Sequence, residues 1–466
     1  MVVQSTGLEA NPMAVRFIPV DRATPSFLPP SIEELLPRDH LARFVVDIVE
    51  RLDLSRIEAS YSGRGSAAYH PSMLVSLLFY GYATGTFTSR RLEQATYDSI
   101  AFRFITANQQ PDHDTIANFR RRFLVELGSL FTQVLVVAAE MGLLKLGSVS
   151  LDGTKIKANA SRHTALSYEY ANRLEKQLKR EVDELMRRAE EADVRDEAQH
   201  LDIPEELLIR EQRLKEIAKA KARIEQRAQQ RYDRESAEYD NKLAARKKKE
   251  QDTGRKLGGF EPKPPQAGVR AKDQINLSDD ESAIMRVTGG GFDQAYNAQA
   301  SVELESMLIV GRHVSASSSD RHQLVPALEE LAKLPTELGS TDTIIADNGY
   351  YSKANAETAE RLGVSPLLAM GRERYDALKR EGPGPELSDD ATAFDRMKQR
   401  LKSREGRSLY ARRKCTVEPV FGIIKHVMGL RQFNLRGLNN VQGEWTLVSI
   451  AWNLKRMAKL SAVATA

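Results

Sequence analysis

The sequence contains a single cysteine, Cys415, among 466 residues. An intramolecular disulfide and a cysteine-based zinc site are therefore excluded, and this composition suits a reducing compartment. The first residues lack the basic-then-apolar pattern of a signal peptide, and no apolar run is long enough to span a bilayer. His113, His313 and His322 lack the short spacing of a metal site. These absences favour a soluble, cytoplasmic protein with no membrane partner.

The chain also has no strong excess of either charge, although 28% of its residues are charged. A net charge of +4 is too small to establish nucleic-acid binding, because binding depends on where the basic residues cluster. The length is too great for one ordinary core, so two or three domains are expected.

The first part of the chain, residues 1–145, is predicted to be an all-helical domain. Apolar residues recur there at helical spacing, as in "LARFVVDIVERL". Pro71 suits a first helical turn, and Asp112 or Asp114 suits a helix N-cap. After Gly147, "SVSLDGTKI" alternates apolar and polar residues, which is the pattern of a strand. We therefore place a domain boundary near residue 146.

A helical insertion is predicted for residues 165–275, which are rich in Glu, Lys, Arg, Gln and Ala. Leucines at helical spacing from Leu174, and a near-heptad pattern after Pro204, predict a helical hairpin or short coiled coil. Basic, glycine and proline residues without periodicity then predict a flexible linker. Within it, "RKKK" at 246–249 has two interpretations. A solvated flexible run is favoured over a segment that follows DNA phosphates.

Strand patterns return after the insertion and alternate with helical ones, and a loop is predicted for residues 371–394. Residues 146–164 and 276–466 are therefore predicted to form one α/β domain, with a mixed sheet flanked by helices.

Three carboxylates are notable in this α/β region. In "DTIIADNGYYS" an apolar strand ends at Asp347, and in "SLDGTKIKANAS" Asp152 is also expected to end a short apolar strand, before a glycine. Glu418 lies on an apolar helix face in "TVEPVFGIIK". An aspartate at a strand end can simply cap the next turn, but open α/β sheets also place ligand chemistry there. Three converging carboxylates could hold two divalent ions, which catalyse phosphodiester displacement.

In this order, these motifs resemble those of the DDE transposases of bacterial insertion sequences, in the broad IS-four/IS-five-like group. The stretches around Asp152, Asp347 and Glu418 resemble the first-Asp, second-Asp and Glu motifs, and the resemblance covers nearly the whole chain. It implies a ribonuclease-H-like catalytic domain in which these three residues are catalytic and bind two Mg²⁺ ions, for which Mn²⁺ can substitute. It also implies a helical N-terminal domain that binds DNA.

The resemblance further indicates basic residues near the acids. Lys425 has the spacing from Glu418 of the family's tyrosine-arginine-glutamate-lysine signature. Arg413 stands one residue further from Glu418 than that signature requires, so either Arg413 or Lys414 is expected to face DNA phosphate. Tyr350 is expected either to support the site from beneath or to pack in the core.

In the helical domain, Arg120, Arg121 and Arg122 lie between Phe119 and Phe123, which are expected to be buried. The three arginines are candidate DNA contacts in a helix-turn-helix-like reader. A solvated basic face is an equally good interpretation, and both stay open.

The function implied by the resemblance is cleavage of DNA at transposon ends and transfer of the freed 3′-hydroxyl into target DNA. The expected partners are double-stranded DNA, as inverted-repeat ends and as target, and a second copy of the chain in a homodimer at the nucleoid. Two alternatives are an inactive relict that only binds DNA and a nuclease of the same fold that cuts without joining. The intact set of three acids argues against the relict.

Overall fold

A computed structural model describes residues 31–61, 68–195, 203–256, 258–287, 289–370, 387–388 and 391–464. The described chain before residue 146 is helical, as predicted. Its helices are α1 (Ile32–Leu35), α2 (Leu41–Glu50), α3 (Ser55–Glu58), α4 (Pro71–Ala83), α5 (Ser89–Asp98), α6 (Ile100–Ile105), α7 (His113–Arg122) and α8 (Glu126–Glu140).

Local sequence explains where these helices begin. Pro71 occupies the first turn of α4, where its missing N–H has no intrahelical role. Asp112, rather than Asp114, caps α7, because its Oδ1 accepts the Thr115 N–H at 2.8 Å. No single helix within the described ranges is long and apolar enough to cross a bilayer. Only α7 and α8 together, bent by 81°, meet that test of length and composition.

The centre of the molecule is a mixed sheet. Its strands are β1 (Ser148–Lys157), β4 (Ala283–Arg286), β5 (Phe292–Glu303), β6 (Ile309–Ser315), β7 (Thr343–Ala346) and β8 (Ser365–Leu368). The order is β4-β5-β1-β7-β8, and β6 shares the outer edge of β5 with β4. β1, β7 and β8 are parallel, whereas β5 is antiparallel to β1, β4 and β6.

Helices flank this sheet and cover one of its edges. They are α11 (Leu324–Ala332), α12 (Lys353–Arg361), α13 (Ala393–Lys402), α14 (Arg404–Ala411), α15 (Arg413–His426) and α16 (Leu438–Ala464). Asn453 and Gln442 of α16 accept the Ile309 and Val314 N–H groups of β6 at 2.8 and 2.7 Å, so these edge donors are not left unpaired. The predicted class, a ribonuclease-H-like mixed sheet with helical flanks and a helical N-terminal region, is confirmed.

The insertion after β1 begins and ends on a small two-stranded sheet. β2 (Ala165–Ser167) pairs antiparallel with β3 (Gln274–Asn276), and between them lie α9 (Tyr168–Arg195) and α10 (Ile203–Thr253). The predicted helical hairpin is present, and Pro204 lies in the first turn of α10. The prediction of a flexible linker over "RKKK" is wrong, because α10 continues through those residues. Lysine and arginine have high helix propensity, and no glycine or proline interrupts the run before Gly254.

Two hydrophobic cores organise the described chain. The larger one joins the N-terminal helices to the sheet and α16, and includes Phe79, Phe131, Ile344 and Trp445. The smaller lies in the insertion, between α9, α10 and the β2–β3 pair, around Leu178 and Ile224. The loop predicted for 371–394 falls mostly outside the described residues.

Candidate active site

Asp152 and Asp347 lie side by side where the parallel β1–β7 pairing ends. The register pairs Leu151 with Ala346, and each aspartate is the next residue in its strand or turn. Neighbouring strands run about 4.8 Å apart, so the two carboxylates occupy adjacent positions. β7 stops at Ala346, as expected, but β1 continues to Lys157 along β5. The expectation that Asp152 ends its strand is wrong, because β5 supplies backbone partners beyond the point where β7 turns away.

The Asp152 carboxyl group is poorly solvated and lies beside like charge. Its side chain is 21% exposed, and Oδ1 accepts the Gly153 N–H at 2.8 Å. Burial raises the pKa of Asp152 to about 7, and the charge of Asp347 adds to that rise. The Gly153 N–H and the Arg413 guanidinium act in the opposite sense but do not cancel it. The ionised form of Asp152 therefore lacks sufficient compensating charge.

Asp347 caps the turn that follows its strand. Its Oδ1 accepts the Gly349 N–H at 2.7 Å, which begins the short 3-10 turn Asn348–Tyr350. The interpretation of Asp347 as a cap is therefore correct, and the same residue also lies beside Asp152. Tyr350 is fully buried, and its hydroxyl donates to Gln299 Oε1. Tyr350 thus both packs in the core and supports the polar side chains behind the aspartates.

Arg413 connects Glu418 to Asp152. In α15, Arg413 Nη2 lies 3.0 Å from Glu418 Oε1, and Nη1 lies 3.5 Å from Asp152 Oδ2. The helix is positioned by Val417 and Val420, which are fully buried. The Arg413 side chain is 13% exposed, and its Nε has no hydrogen-bond partner among the described residues. Of the two cations that the sequence left open, Arg413 is the one that contacts the acids.

Lys425 lies two helical turns after Glu418, on the β1 side of α15. Its Nζ donates to the Lys155 backbone carbonyl at 3.2 Å. Burial lowers the pKa of Lys425, and the charge of Lys155 adds to this effect, whereas Asp152 opposes it. Lys425 therefore lies close enough to Asp152 for the two charges to interact.

The donor set suits a hard divalent cation, although the three acids do not yet converge. Within the described ranges, no group of three or more His, Cys, Asp or Glu side chains is arranged to hold a metal ion. Carboxylate oxygens are the ligands that Mg²⁺ prefers, and the uncompensated charge at Asp152 and Asp347 favours a cation there. Arg413 already places positive charge between Asp152 and Glu418. Glu418, whose side chain is 47% exposed, would have to turn from Arg413 to become a ligand.

A second polar cluster, which the sequence reasoning missed, lies on the other face of β1. Asp320 accepts from Lys155 Nζ at 2.9 Å, from Asn297 Nδ2 at 2.7 Å and from Gln299 Nε2 at 2.9 Å. Asn297 and Gln299 are fully buried in β5. Polar residues at alternate positions of a buried strand are a signal readable from "YNAQASVE", whereas nothing local identifies Asp320 as their partner.

Two glycines leave the space that this cluster fills. A Cβ on Gly153 would lie 2.1 Å from Gln299 Nε2 and 2.7 Å from Asp320 Oδ1. A Cβ on Gly349 would lie 3.5 Å from the Cβ of Asp320. The glycines that follow Asp152 and Asp347 therefore allow Asp320 to approach the backbone of both aspartates.

Arg120 is placed in the interior rather than on a DNA-facing surface. It is 7% exposed, and its Nη1 donates to the Tyr82 hydroxyl at 3.2 Å and to the Phe87 carbonyl at 2.9 Å. Burial and the charge of the nearby Glu444 raise the pKa of Tyr82, whereas the charge of Arg120 acts in the opposite sense. These contacts give Arg120 a structural role.

Its two neighbours lie at the surface. Arg122 donates to the Ser60 carbonyl at 2.7 Å and stacks over Tyr61 at 5.4 Å, so it too is held in place. Arg121 is exposed and donates to Asn118 of its own helix at 3.1 Å. Arg121 also lines a cleft of about 730 Å³ between the N-terminal helices and the sheet, together with Arg312. Of the three candidates, Arg121 is the most accessible to a ligand.

Two transposase family models match separate parts of the chain. The model of the transposase DDE domain matches residues 279–454, which include Asp347, Arg413, Glu418 and Lys425. The model of a transposase domain (DUF772) matches residues 30–122, which hold helices α1 to α7. No curated protein and no solved structure matches the chain. The chain therefore belongs to the DDE transposases of insertion sequences, a family that acts on DNA and generally uses divalent metal ions.

Proposed function

We propose that this protein is a metal-dependent transposase that cleaves DNA at transposon ends and joins the freed ends to target DNA. The observation that carries the proposal is the adjacent pair Asp152 and Asp347, with Arg413 linking Asp152 to Glu418. This pairing occurs on the sheet of a chain that belongs to the DDE transposases. Substrates would be the inverted-repeat ends and target DNA, bound at the nucleoid.

Asp152, Asp347 and Glu418 are the residues that would hold two Mg²⁺ ions, or Mn²⁺ in their place. When bound, such ions lower the pKa of water and stabilise the leaving oxygen of a phosphodiester. Asp152, whose pKa is raised to about 7, would have to be ionised to act as a ligand. Arg413, once released from Glu418, and Lys425 would neutralise the phosphate that is attacked.

The reaction has two displacements at phosphorus. First, a water oxygen bonds to phosphorus as the bond to the 3′-oxygen breaks, which leaves a 3′-hydroxyl on the transposon end. Next, that hydroxyl attacks a target phosphodiester, and the target's own 3′-oxygen leaves. Neither step needs a covalent bond between protein and DNA. A homodimer would hold both ends together, and Arg121 is the arginine of α7 best placed to contact them.

The test is cleavage of a linear duplex that carries the DNA flanking the coding region. In Mg²⁺, the wild-type protein should nick this duplex at the element's ends and join the ends to a plasmid. Asp347→Asn should lose at least about 100-fold in cleavage rate, because it removes a ligand charge, yet keep DNA binding. Asp342→Asn is the matched control, since Asp342 is exposed and lies at the opposite end of β7.

Other outcomes would identify the alternatives. Binding without cleavage in Mg²⁺ or Mn²⁺ would indicate a relict, and cutting without joining would indicate a nuclease. Equal cleavage by wild type and Asp347→Asn would contradict the assignment of the acids.

A further inference from the structure

Helix α10 contacts two segments that adjoin strands of the catalytic sheet. Arg223 lies 3.5 Å from Asp280, in the segment between β3 and β4. Further along the helix, Glu238 Oε1 lies 3.9 Å from His322 Nε2. His322 is two residues beyond Asp320, whose carboxylate lies against the glycine that follows Asp152. Glu238 of α10 therefore lies beside the segment that carries Asp320.

Immediately after this contact, α10 becomes strongly basic. Between Asn241 and Lys256 the chain has seven basic and two acidic residues. Five of the basic residues fall within eight positions of the helix, and we call them the α10 basic end: Lys242, Arg246, Lys247, Lys248 and Lys249. All of them except Arg246, which is half-buried, are exposed. Because the segment is helical rather than a flexible linker, the helix sets the spacing of these charges.

The charge density of the α10 basic end matches that of duplex DNA. Seven helical steps span about 10 Å, so five positive charges occupy a length over which a duplex carries about six negative charges. Lys242 and Arg246 are like charges at i and i+4, a spacing that weakens an isolated helix. Glu238 and Glu250 neutralise only part of this charge, at 3.6 Å from Lys242 and 3.3 Å from Arg246. Lys242, Arg246 and Lys249 lie on one side of the helix, whereas Lys247 and Lys248 point to other sides. A polyanion against the helix would relieve the repulsion.

We infer that the α10 basic end binds the phosphate backbone of the DNA segment adjoining the cleaved phosphodiester. The inference rests on the proposed function, since it requires a duplex at the candidate site. Glu238 is four residues before Lys242 and eleven before Lys249, so the basic end lies about 6 to 17 Å along the helix from the His322 contact. This distance corresponds to a few base pairs of duplex. The contact is to backbone phosphates, so it is independent of sequence.

The test compares two triple variants of the full-length protein. Lys247, Lys248 and Lys249 are changed together to Gln, which removes three charges while keeping good helix propensity. The matched control changes Arg213, Lys215 and Lys219 to Gln, because these residues are exposed on the first half of the same helix. Binding to a 30-base-pair duplex of arbitrary sequence is measured between 50 and 200 mM salt. Circular dichroism checks that both variants stay helical.

The expected result is specific to the α10 basic end. Its variant should bind at least about tenfold more weakly at 50 mM salt. Its slope of log affinity against log salt should fall by about 1 to 2, because three consecutive helical residues cannot all face one duplex. The control variant should keep the wild-type slope. Equal slopes for both variants would overturn the inference. So would loss of self-association by the lysine variant with an unchanged slope, which would assign this surface to a second copy of the chain. If the wild-type protein binds no duplex at all, the proposed function itself fails.

Discussion

Asp152 is a carboxylate in a place with little water and little compensating charge. Burial and Asp347 raise its pKa to about 7, whereas an aspartate in an unfolded chain titrates near 3.9. Between these values the folded protein holds a proton that the unfolded chain has lost, so the free energy of unfolding falls as the pH rises through this window. Above pH 7 the full penalty is about 4 kcal/mol, at about 1.4 kcal/mol per pKa unit.

We therefore expect Asp152→Asn to stabilise the metal-free protein. At pH 8 in EDTA, its free energy of unfolding should exceed that of the wild type by about 2 to 4 kcal/mol, and the difference should shrink toward zero near pH 4. Urea unfolding at several pH values measures this difference, and groups that titrate identically in both proteins cancel. Added Mg²⁺ should stabilise the wild type but not the variant. A difference that does not vary with pH would contradict the raised pKa.

The residues of the candidate site could be predicted where they belong to a local motif, and less well where only the fold brings them together. Asp347 and Glu418 were singled out by local patterns and by the family resemblance, and their role as ligands stays a prediction. Arg413 was one of two choices, and in the structure it lies between Asp152 and Glu418. Asp320 was missed because its partners come from β1 and β5, more than 20 residues away in sequence. No local pattern reports such a contact.

At the scale of elements, the sequence predicted whether a segment is a helix or a strand better than it predicted where that segment ends. The alternating pattern that predicted β1 fades at Asp152, but the strand continues because β5 pairs with it to Lys157. Helix α10 likewise extends through "RKKK" to Thr253, although charge runs usually indicate a flexible segment. Pairing with β5 extends β1, and the helix propensity of lysine and arginine extends α10. Neither the alternation of residues nor the composition indicated where these elements end.

The continuation of β1 makes Gly153 a sensitive position. We expect Gly153→Ala to destabilise the protein by about 1 to 3 kcal/mol, as overpacking of a filled site does, because the new Cβ would lie 2.1 Å from Gln299 Nε2. Gln299 has little room to move, since it also bonds to Asp320 and Tyr350. DNA cleavage should fall further than stability does, because the strand that carries Asp152 must shift.

Gly147→Ala is the control for that substitution. Gly147 lies one residue before β1, and a Cβ there would meet no atom within 4 Å. Its melting temperature and cleavage rate should stay close to those of the wild type. If both alanine variants behave alike in thermal unfolding and in cleavage, then the cluster behind β1 yields easily and does not position Asp152.

At the scale of the whole molecule, the two cores predict which parts fold separately. The N-terminal helices share their core with the sheet, so we expect a chain that lacks residues 1–145 to have no stable fold. The insertion has a core of its own, and it leaves and returns through paired strands. The predicted division of the chain at 165 and 275 is thus open to a direct test by removing the insertion.

Ser167 and Gln274 face each other in the β2–β3 register, so an Asn-Gly turn can replace residues 168–273. Leu166 and Ile275 should also become Thr, because their apolar side chains pack only within the insertion core. The lost contacts include Arg223 with Asp280 and Glu281 at 3.5 and 3.6 Å, and Glu238 with His322 at 3.9 Å. Arg227 also no longer donates to the Asp280 carbonyl. Such contacts between solvent-accessible groups contribute little. We expect the shortened protein to unfold cooperatively in urea, within about 2 kcal/mol of the full chain.

The shortened protein should keep Mg²⁺-dependent cleavage at low salt, because Asp152, Asp347 and Glu418 all lie outside the insertion, but lose the salt-dependent affinity assigned to α10. An insoluble or non-cooperative product would mean that the insertion is part of the catalytic fold rather than an addition to it.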